Sequence, residues 1–299
     1  MSENKTDKPK KTAIAREDNG NIQITLNIPY KDILEAKKTA LEEIAKTTEI
    51  PGFRKGNAPA AQVEKHVSEN TILEKALGKI LPKAFSNIVE KENIKPIVYP
   101  KFELINAKEN EDWQVRAITC ELPEVNLKDY KKVISDEAKS QTIWTPEKGD
   151  PEKNKEEKEK TPEEKEQEVI KILLDKIKVK IPKILIDQEV DNRLAQLLDR
   201  IEKLGLNLES YLASVGKNPE TLRKEYEVQA SNTITLDLIL QKISVEEKIE
   251  VDEKEIEGLI KASSANPKLA ESLNTPEQKR FIRSIILKRK ALESLVSLL

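Results

Sequence analysis

Residues 13–28 read AIAREDNGNIQITLNI, and this stretch decides the fold of the first part of the chain. Asn19-Gly20 is a dipeptide typical of the tight turn between two antiparallel strands. After the turn, apolar residues alternate with polar ones at the two-residue period of a β-strand. These apolar positions are Ile22, Ile24, Leu26 and Ile28. The stretch therefore predicts a β-hairpin with one apolar face.

Directly after the hairpin the period becomes helical, and it stays so from Tyr30 to Thr48. The predicted core face of this helix contains Ile33, Leu34, Leu41, Ile44 and Ala45. A short helix follows through Val63 and Val67, and a longer helical pattern covers 69–91. Pro82 lies inside that pattern, where it should kink or divide the helix, because proline removes a backbone donor.

Two extended segments, 97–104 and 113–122, return to strand-like alternation. The order of a hairpin, a long helix, further helices and returning strands predicts an α+β domain. We expect an antiparallel sheet with long helices, over residues 1–130.

The helical patterns are interrupted by residues 50–59, which read IPGFRKGNAP. Glycine permits sharp turns, and each proline restricts both itself and the residue before it, so the helix cannot continue. The segment predicts a tight loop with Phe53, Arg54 and Lys55 at its tip. Two interpretations follow: an exposed aromatic beside cations for a macromolecular contact, or an interhelical turn whose Phe53 folds inward.

The composition changes abruptly between Glu147 and Glu168, where 16 of 22 residues are charged. Such a segment buries too little apolar surface to offset chain entropy, so most of it should be a solvated linker or a charged lone helix. We place this charged linker at residues 131–161. Thr161-Pro162-Glu163-Glu164 has the pattern of a capping box, which starts a helix. Thr275-Pro276-Glu277-Gln278 repeats that pattern near the end of the chain. Residues 162–299 therefore predict an all-α domain of long helical hairpins, with helix ends at Gly205 and Gly216.

Composition and residue counts argue against most catalytic classes. The 52 basic residues nearly balance the 54 acidic ones, so no overall field attracts nucleic acid, although residues 4–16 are locally basic. Cys120 and His66 are the single cysteine and histidine, so neither a thiol cluster nor a histidine metal site is expected. No phosphate-binding loop or metalloprotease motif occurs. We therefore expect no catalytic, cofactor-binding or metal-binding residues.

The same sequence has neither an apolar secretory segment near its N-terminus nor a run long enough to span a bilayer. We accordingly expect a cytoplasmic protein without a membrane partner or a small-molecule ligand.

Gly52-Phe53-Arg54-Lys55-Gly56, followed by Pro59, resembles the ribosome-binding signature of the trigger factor family, the bacterial nascent-chain chaperones. The order and spacing of the elements in residues 1–130 resemble the N-terminal domain of that family. The helical half resembles its C-terminal domain. The residues that carry this second resemblance are Ile181-Pro182, the turn at 208–212 with Gly216-Lys217, and Ile249-Glu250-Val251.

The resemblance implies a ribosome-associated chaperone. Its loop would dock at the large ribosomal subunit near the tunnel exit, where the cations of the loop would meet acidic side chains of ribosomal protein or phosphates of rRNA. The helical domain would bind unfolded nascent polypeptides through apolar surface, although no individual client-contacting residue is singled out.

Most family members also carry an isomerase domain of the FKBP type between these two halves. Residues 131–161 are too few for a folded domain, so we expect a shortened form that is not an enzyme. Three alternatives stay open: a holdase or assembly chaperone that works off the ribosome, a peptidyl-prolyl isomerase, and a structural adaptor.

Overall fold

The computed structural model describes residues 13–47, 53, 56, 59–108, 110–142, 161–263 and 275–299. This part of the chain divides into two compact units. The first contains the described residues up to Leu122 together with Pro182–Leu185, and the second contains Pro123–Ile181 and Ile186–Leu299.

The first unit is built on a four-stranded antiparallel sheet. Its strands are β1 (Ile14–Arg16), β2 (Ile22–Ile28), β3 (Lys101–Asn106) and β4 (Trp113–Thr119), in the spatial order β1-β2-β4-β3. The predicted hairpin is confirmed, since Ile14 lies opposite Ile24 and Gly20 takes a φ of +84° in the turn. Glycine is suited to this turn because the left-handed region costs it little.

Three helices complete the first unit: α1 (Tyr30–Thr47), α2 (Ala60–His66) and α3 (Glu69–Lys91). The alternating residues of β2 and β4 face the same core as α3, which buries Phe85 against them. The helix runs through Pro82 without division. The prediction for Leu34 was wrong, because this side chain is 49% exposed and Ala40 is buried instead.

Helices are the only regular secondary structure in the described residues of the second unit. Its helices are α4 (Tyr130–Thr142), α5 (Pro162–Lys176), α6 (Lys183–Lys203, starting in the first unit), α7 (Leu208–Ser214), α8 (Pro219–Glu246), α9 (Glu253–Ser263) and α10 (Pro276–Val296). The predicted fold class, an α+β part followed by an all-α part, is confirmed.

The main core of the second unit forms where α4, α5, α8 and α10 meet. Its fully buried residues include Ile134, Val169, Leu173, Ile239, Ile243 and Leu295. Sequence reasoning did not foresee α4, because all of it except Tyr130 lies in the segment predicted as a charged linker. Tyr130 and Ile134 stabilise α4 because they are buried in this core. The density of charged residues along the sequence does not show such burial. Residues 143–160 lie outside the described part of the chain, so the linker there stays a prediction.

The predicted capping box at Thr161 is confirmed. Thr161 Oγ1 accepts from the Glu164 amide at 3.3 Å, and the Thr161 amide donates to Glu164 Oε2 at 2.8 Å. At Thr275 only half of the predicted box forms, because Thr275 Oγ1 accepts from the Gln278 amide and no return bond is made.

None of the helices in the described ranges is long and apolar enough to cross a membrane.

Candidate functional site

The loop between α1 and α2 presents an aromatic side chain. Phe53 is 41% exposed, which favours the presented loop over the inward-folded alternative. Gly56 has a φ of +88°, a conformation that L side chains rarely adopt, and this accounts for glycine at that position. Gly52, Arg54 and Lys55 lie outside the described residues.

Pro59 connects the loop to α2. Its φ of −61° and ψ of 144° are extended, and its carbonyl accepts from the amides of Gln62 at 2.9 Å and Val63 at 3.2 Å. The fixed φ of proline suits this position, because the residue stops the loop and starts the helix without needing its own amide hydrogen.

A separate small core holds the base of the loop. It joins α1, α2 and α3 through Ala40, Ile44, Ala45, Val63, Ile72 and Ala76. Three of these six residues are alanines, so the helices can approach closely. The helices on both sides of the loop are therefore packed against α3.

Polar contacts around this base are exposed and paired. Lys79 donates to Glu43, and this hydrogen bond lowers the pKa of the Glu43 carboxyl. Lys37 Nζ lies 3.2 Å from Glu69 Oε1. Exposed ion pairs of this kind contribute little to the free energy of folding, so the packing of these helices depends mainly on their apolar core.

No arrangement suited to catalysis appears in the described ranges. His66 is exposed and its Nδ1 lies 2.9 Å from the carbonyl oxygen of Gln62, one turn back on its own helix. Cys120 is buried, and burial raises the pKa of its thiol to about 11, so it is a poor nucleophile at neutral pH. Within the described ranges, no group of three or more His, Cys, Asp or Glu side chains could hold a metal ion.

The second unit exposes apolar residues beside a thin core. Four isoleucines pack between α9 and α10: Ile256, Ile260, Ile282 and Ile286. Next to them, Leu259, Phe281 and Ile285 are exposed, and we call these three residues the α9–α10 patch. Phe281 and Ile285 are four residues apart, so they lie together on one helix face.

A second set of exposed apolar residues lies in sequence between the last turns of α6 and the C-cap of α7. It consists of Leu198, Leu204, Leu206 and Val215, which we call the α6–α7 patch. Helix α6 ends at Lys203, and Gly205, the predicted helix stop, follows two residues later with a φ of +69°. The amide of Leu206 donates to the carbonyl of Ile201 and that of Gly205 to Glu202, which is the Schellman arrangement.

Sequence reasoning expected apolar surface on the helical half but singled out no individual residue of either patch, Phe281 included. The sequence did contain a signal for this exposure. Phe281 and Ile285 each precede a core isoleucine by one position, so each lies about 100° around the helix from that isoleucine.

Comparisons with known proteins agree with both halves of the chain. The family model described as "Bacterial trigger factor protein (TF)" matches residues 10–155, and "Bacterial trigger factor protein (TF) C-terminus" matches residues 150–297. A trigger factor of Carboxydothermus hydrogenoformans is 34% identical over 109 residues, covering 36% of this chain and 26% of that protein. A trigger factor of Clostridium perfringens is 30% identical over 130 residues, covering 42% of this chain and 30% of that protein.

Each alignment thus spans less than a third of the relative's own length. A solved structure, described as "Promiscuous Substrate Recognition in Folding and Assembly Activities of the Trigger Factor Chaperone", is similar in fold with a TM-score of 0.54. It is 14% identical, and the match covers 95% of this chain and 99% of the other. Since the two family models together span residues 10–297, the chain belongs to the trigger factor family.

Proposed function

We propose that this protein is a ribosome-associated chaperone that binds nascent polypeptides near the tunnel exit and does no chemistry on them. One observation carries the proposal. Of the four phenylalanines, Phe85 and Phe102 lie in or against the sheet core, whereas Phe53 and Phe281 are exposed on different units. One exposed ring belongs to a short loop and the other to a helical patch, which suits two different kinds of contact.

The loop suits a compact, specific contact. Phe53 would fill an apolar depression on the large ribosomal subunit, and full burial of such a ring contributes about 1.5–3 kcal/mol. Arg54 and Lys55 would meet acidic side chains of ribosomal protein or phosphates of rRNA, for which guanidinium and ammonium groups are the usual partners. Gly52, Gly56 and Pro59 would set the shape of the loop.

The helical unit suits a broad, non-specific contact. Its two patches contain seven exposed apolar side chains, with Leu204 at 74% and Phe281 at 62%. The energy of apolar burial depends on area and not on direction, so such surface can hold unfolded chains of many sequences. Contacts spread over two small patches are individually weak, which lets a client leave and fold.

The proposed absence of isomerase activity is supported by the family matches. The two matched ranges overlap at residues 150–155, so they leave no sequence between them for a third folded domain. We also propose a cytoplasmic location, as translation near this chaperone requires.

The central experiment measures cosedimentation with 70S ribosomes. We expect the triple variant Phe53→Ala, Arg54→Ala, Lys55→Ala to lose most ribosome binding while it still suppresses aggregation of an unfolded client. The matched control is Phe281→Ala, which removes the exposed ring of the other unit. It should keep ribosome binding and suppress aggregation less well.

Unchanged cosedimentation of the triple variant would refute the anchoring role and favour the holdase that works off the ribosome. Circular dichroism of both variants checks that the fold is intact. A protease-coupled assay on a prolyl peptide tests for isomerase activity. A rate of prolyl isomerisation clearly above background would refute the claim that the protein is not an isomerase.

A further inference from the structure

The first turns of α10 carry three cations that have no ion-pair partner among the described residues: Lys279, Arg280 and Arg283. The later cations of the same helix are each paired with a carboxylate: Lys288 with Asp237, Arg289 with Glu293 and Lys290 with Glu255. The charged groups at the start of α10 are therefore available to a ligand, whereas those in its second half are not.

The same three side chains line a cavity of about 180 Å³, which we call the α10 cation pocket. Its remaining lining consists of Glu253 and Ile256 of α9 and Pro276 of α10. Small-molecule sites usually occupy about 300–1,000 Å³, so this cavity suits a single side chain better than a whole ligand. Because three cations outnumber one carboxylate around it, the side chain that fits it best is acidic.

The α10 cation pocket and the α9–α10 patch lie on two sides of one exposed helix start. Arg283 follows Phe281 by two positions, which places it about 200° around the helix. The surface between them is open, since Ile282 alone is buried among residues 275–283. An extended polypeptide that crosses the start of α10 can therefore contact both the patch and the pocket.

We propose that the start of α10 selects client segments in which an acidic residue lies about three positions from a large apolar one. The inference rests on the proposed function, because it requires that the α9–α10 patch binds clients. The apolar side chain packs on Phe281 and Ile285, and the carboxylate enters the α10 cation pocket. The spacing follows from geometry, since a helix with its side chains is about 10 Å across and an extended chain advances about 3.3 Å per residue.

The surrounding charges favour an acidic residue on the pocket side and disfavour one on the patch side. Glu277 precedes Phe281 by four positions, so it lies beside the patch and repels a carboxylate placed there. Glu253 repels a carboxylate in the pocket, but the three cations attract that carboxylate more strongly. Each exposed charge pair contributes little, so the selection between an acidic and a basic residue should be about tenfold.

The test compares three fluorescently labelled peptides, whose binding to the full chain is measured by anisotropy at low salt. The peptides share one extended apolar segment and differ only at the third position after a central Phe, which is occupied by Glu, Gln or Lys. We expect the Glu peptide to bind about tenfold more tightly than the Lys peptide, with the Gln peptide between them. This ratio of affinities should fall as salt is raised, because exposed charges are screened.

Variants of the pocket assign the ratio to its residues. Arg283→Gln should lower the ratio about threefold, and adding Lys279→Gln should remove most of the remainder. Glu253→Gln should raise the ratio, because it removes the opposing carboxylate. The matched control is Arg289→Gln, which removes the same charge from the same helix outside the pocket and should leave the ratio unchanged. Phe281→Ala should weaken the binding of all three peptides by one common factor.

Failure of this inference can be told apart from failure of the proposed function. If all three peptides bind equally at low salt, the selection of acidic segments is refuted while client binding stands. The same holds if Arg289→Gln lowers the ratio as much as Arg283→Gln does, since net charge then explains the preference. If no peptide binds, or if Phe281→Ala changes nothing, the client contact itself is refuted, and this inference with it.

Discussion

Tyr130 Oη donates a hydrogen bond to Glu247 Oε1 at 3.1 Å, which joins the start of α4 to the C-cap of α8. Lys131 Nζ lies 2.9 Å from the same oxygen, and Ser294 Oγ contacts Glu247 Oε2 at 2.9 Å. Burial of the Glu247 carboxyl raises its pKa, but the bonds from Lys131, Ser294 and Tyr130 outweigh burial and lower the pKa overall. Burial, and then the bond to Glu247, raise the pKa of Tyr130.

Replacing this carboxylate should destabilise the second unit in a pH-dependent way. Because the pKa of Glu247 is lowered in the folded state, its contribution is present above the unfolded pKa of about 4.3 and is lost as the pH falls through the folded value. We expect Glu247→Gln to lower the free energy of unfolding by about 1–3 kcal/mol at pH 7 and by much less in acid. Urea unfolding at several pH values measures this difference. Glu246→Gln, on an exposed neighbour, is the control and should have little effect at any pH.

Three glycines should respond differently to alanine. Gly20 has a positive φ, and an added Cβ would lie 3.1 Å from Pro182 Cγ, so Gly20→Ala should destabilise by about 1–2 kcal/mol. Gly205 has a positive φ but open space around it, so its variant should cost about 1 kcal/mol. Gly78 lies inside α3 with nothing near its missing Cβ, so Gly78→Ala should stabilise by about 0.5–1 kcal/mol. The midpoints of urea unfolding measure the change in stability of the three variants. Equal changes would contradict the backbone conformations described for these three glycines.

The two threonine caps should differ in strength. Thr161 takes part in both bonds of its capping box, whereas Thr275 accepts one. We expect Thr161→Ala to cost about 1 kcal/mol and Thr275→Ala less. Hydrogen exchange in the first turns of α5 and α10 locates each effect. A larger loss of stability for Thr275→Ala than for Thr161→Ala would show that the start of α10 depends on this cap alone.

Cys120 offers a probe of opening in the first unit. The thiol is buried with a pKa raised to about 11, so alkylation at pH 8 should be slow in the native protein. In urea the thiol should react at the rate of an ordinary cysteine, whose pKa is about 8.5. The ratio of the two rates reports how often this part of the sheet opens. Rapid labelling without denaturant would contradict its burial.

The β2 register and the helix starts were predictable because their signals are local. Alternation from Ile22 to Ile28 follows from side chains pointing to opposite faces of a strand, and the cap at Thr161 needs only its own first turn. Gly205 likewise stops a helix through its own backbone freedom. The positive φ of Gly56 and the extended backbone of Pro59 before α2 are local in the same sense.

The sequence by itself therefore determined where the hairpin and most of the helices lie, because steric preferences and capping bonds act over a few residues. Only the tertiary structure decided that Leu34 and Phe281 are exposed, and that Tyr130 and Ile134 are buried. An amphipathic stripe shows that a helix has an apolar side, but not whether a neighbour covers it. In this chain the residues that bury Ile134 come from α5, α8 and α10, so its burial depends on contacts between elements far apart in sequence.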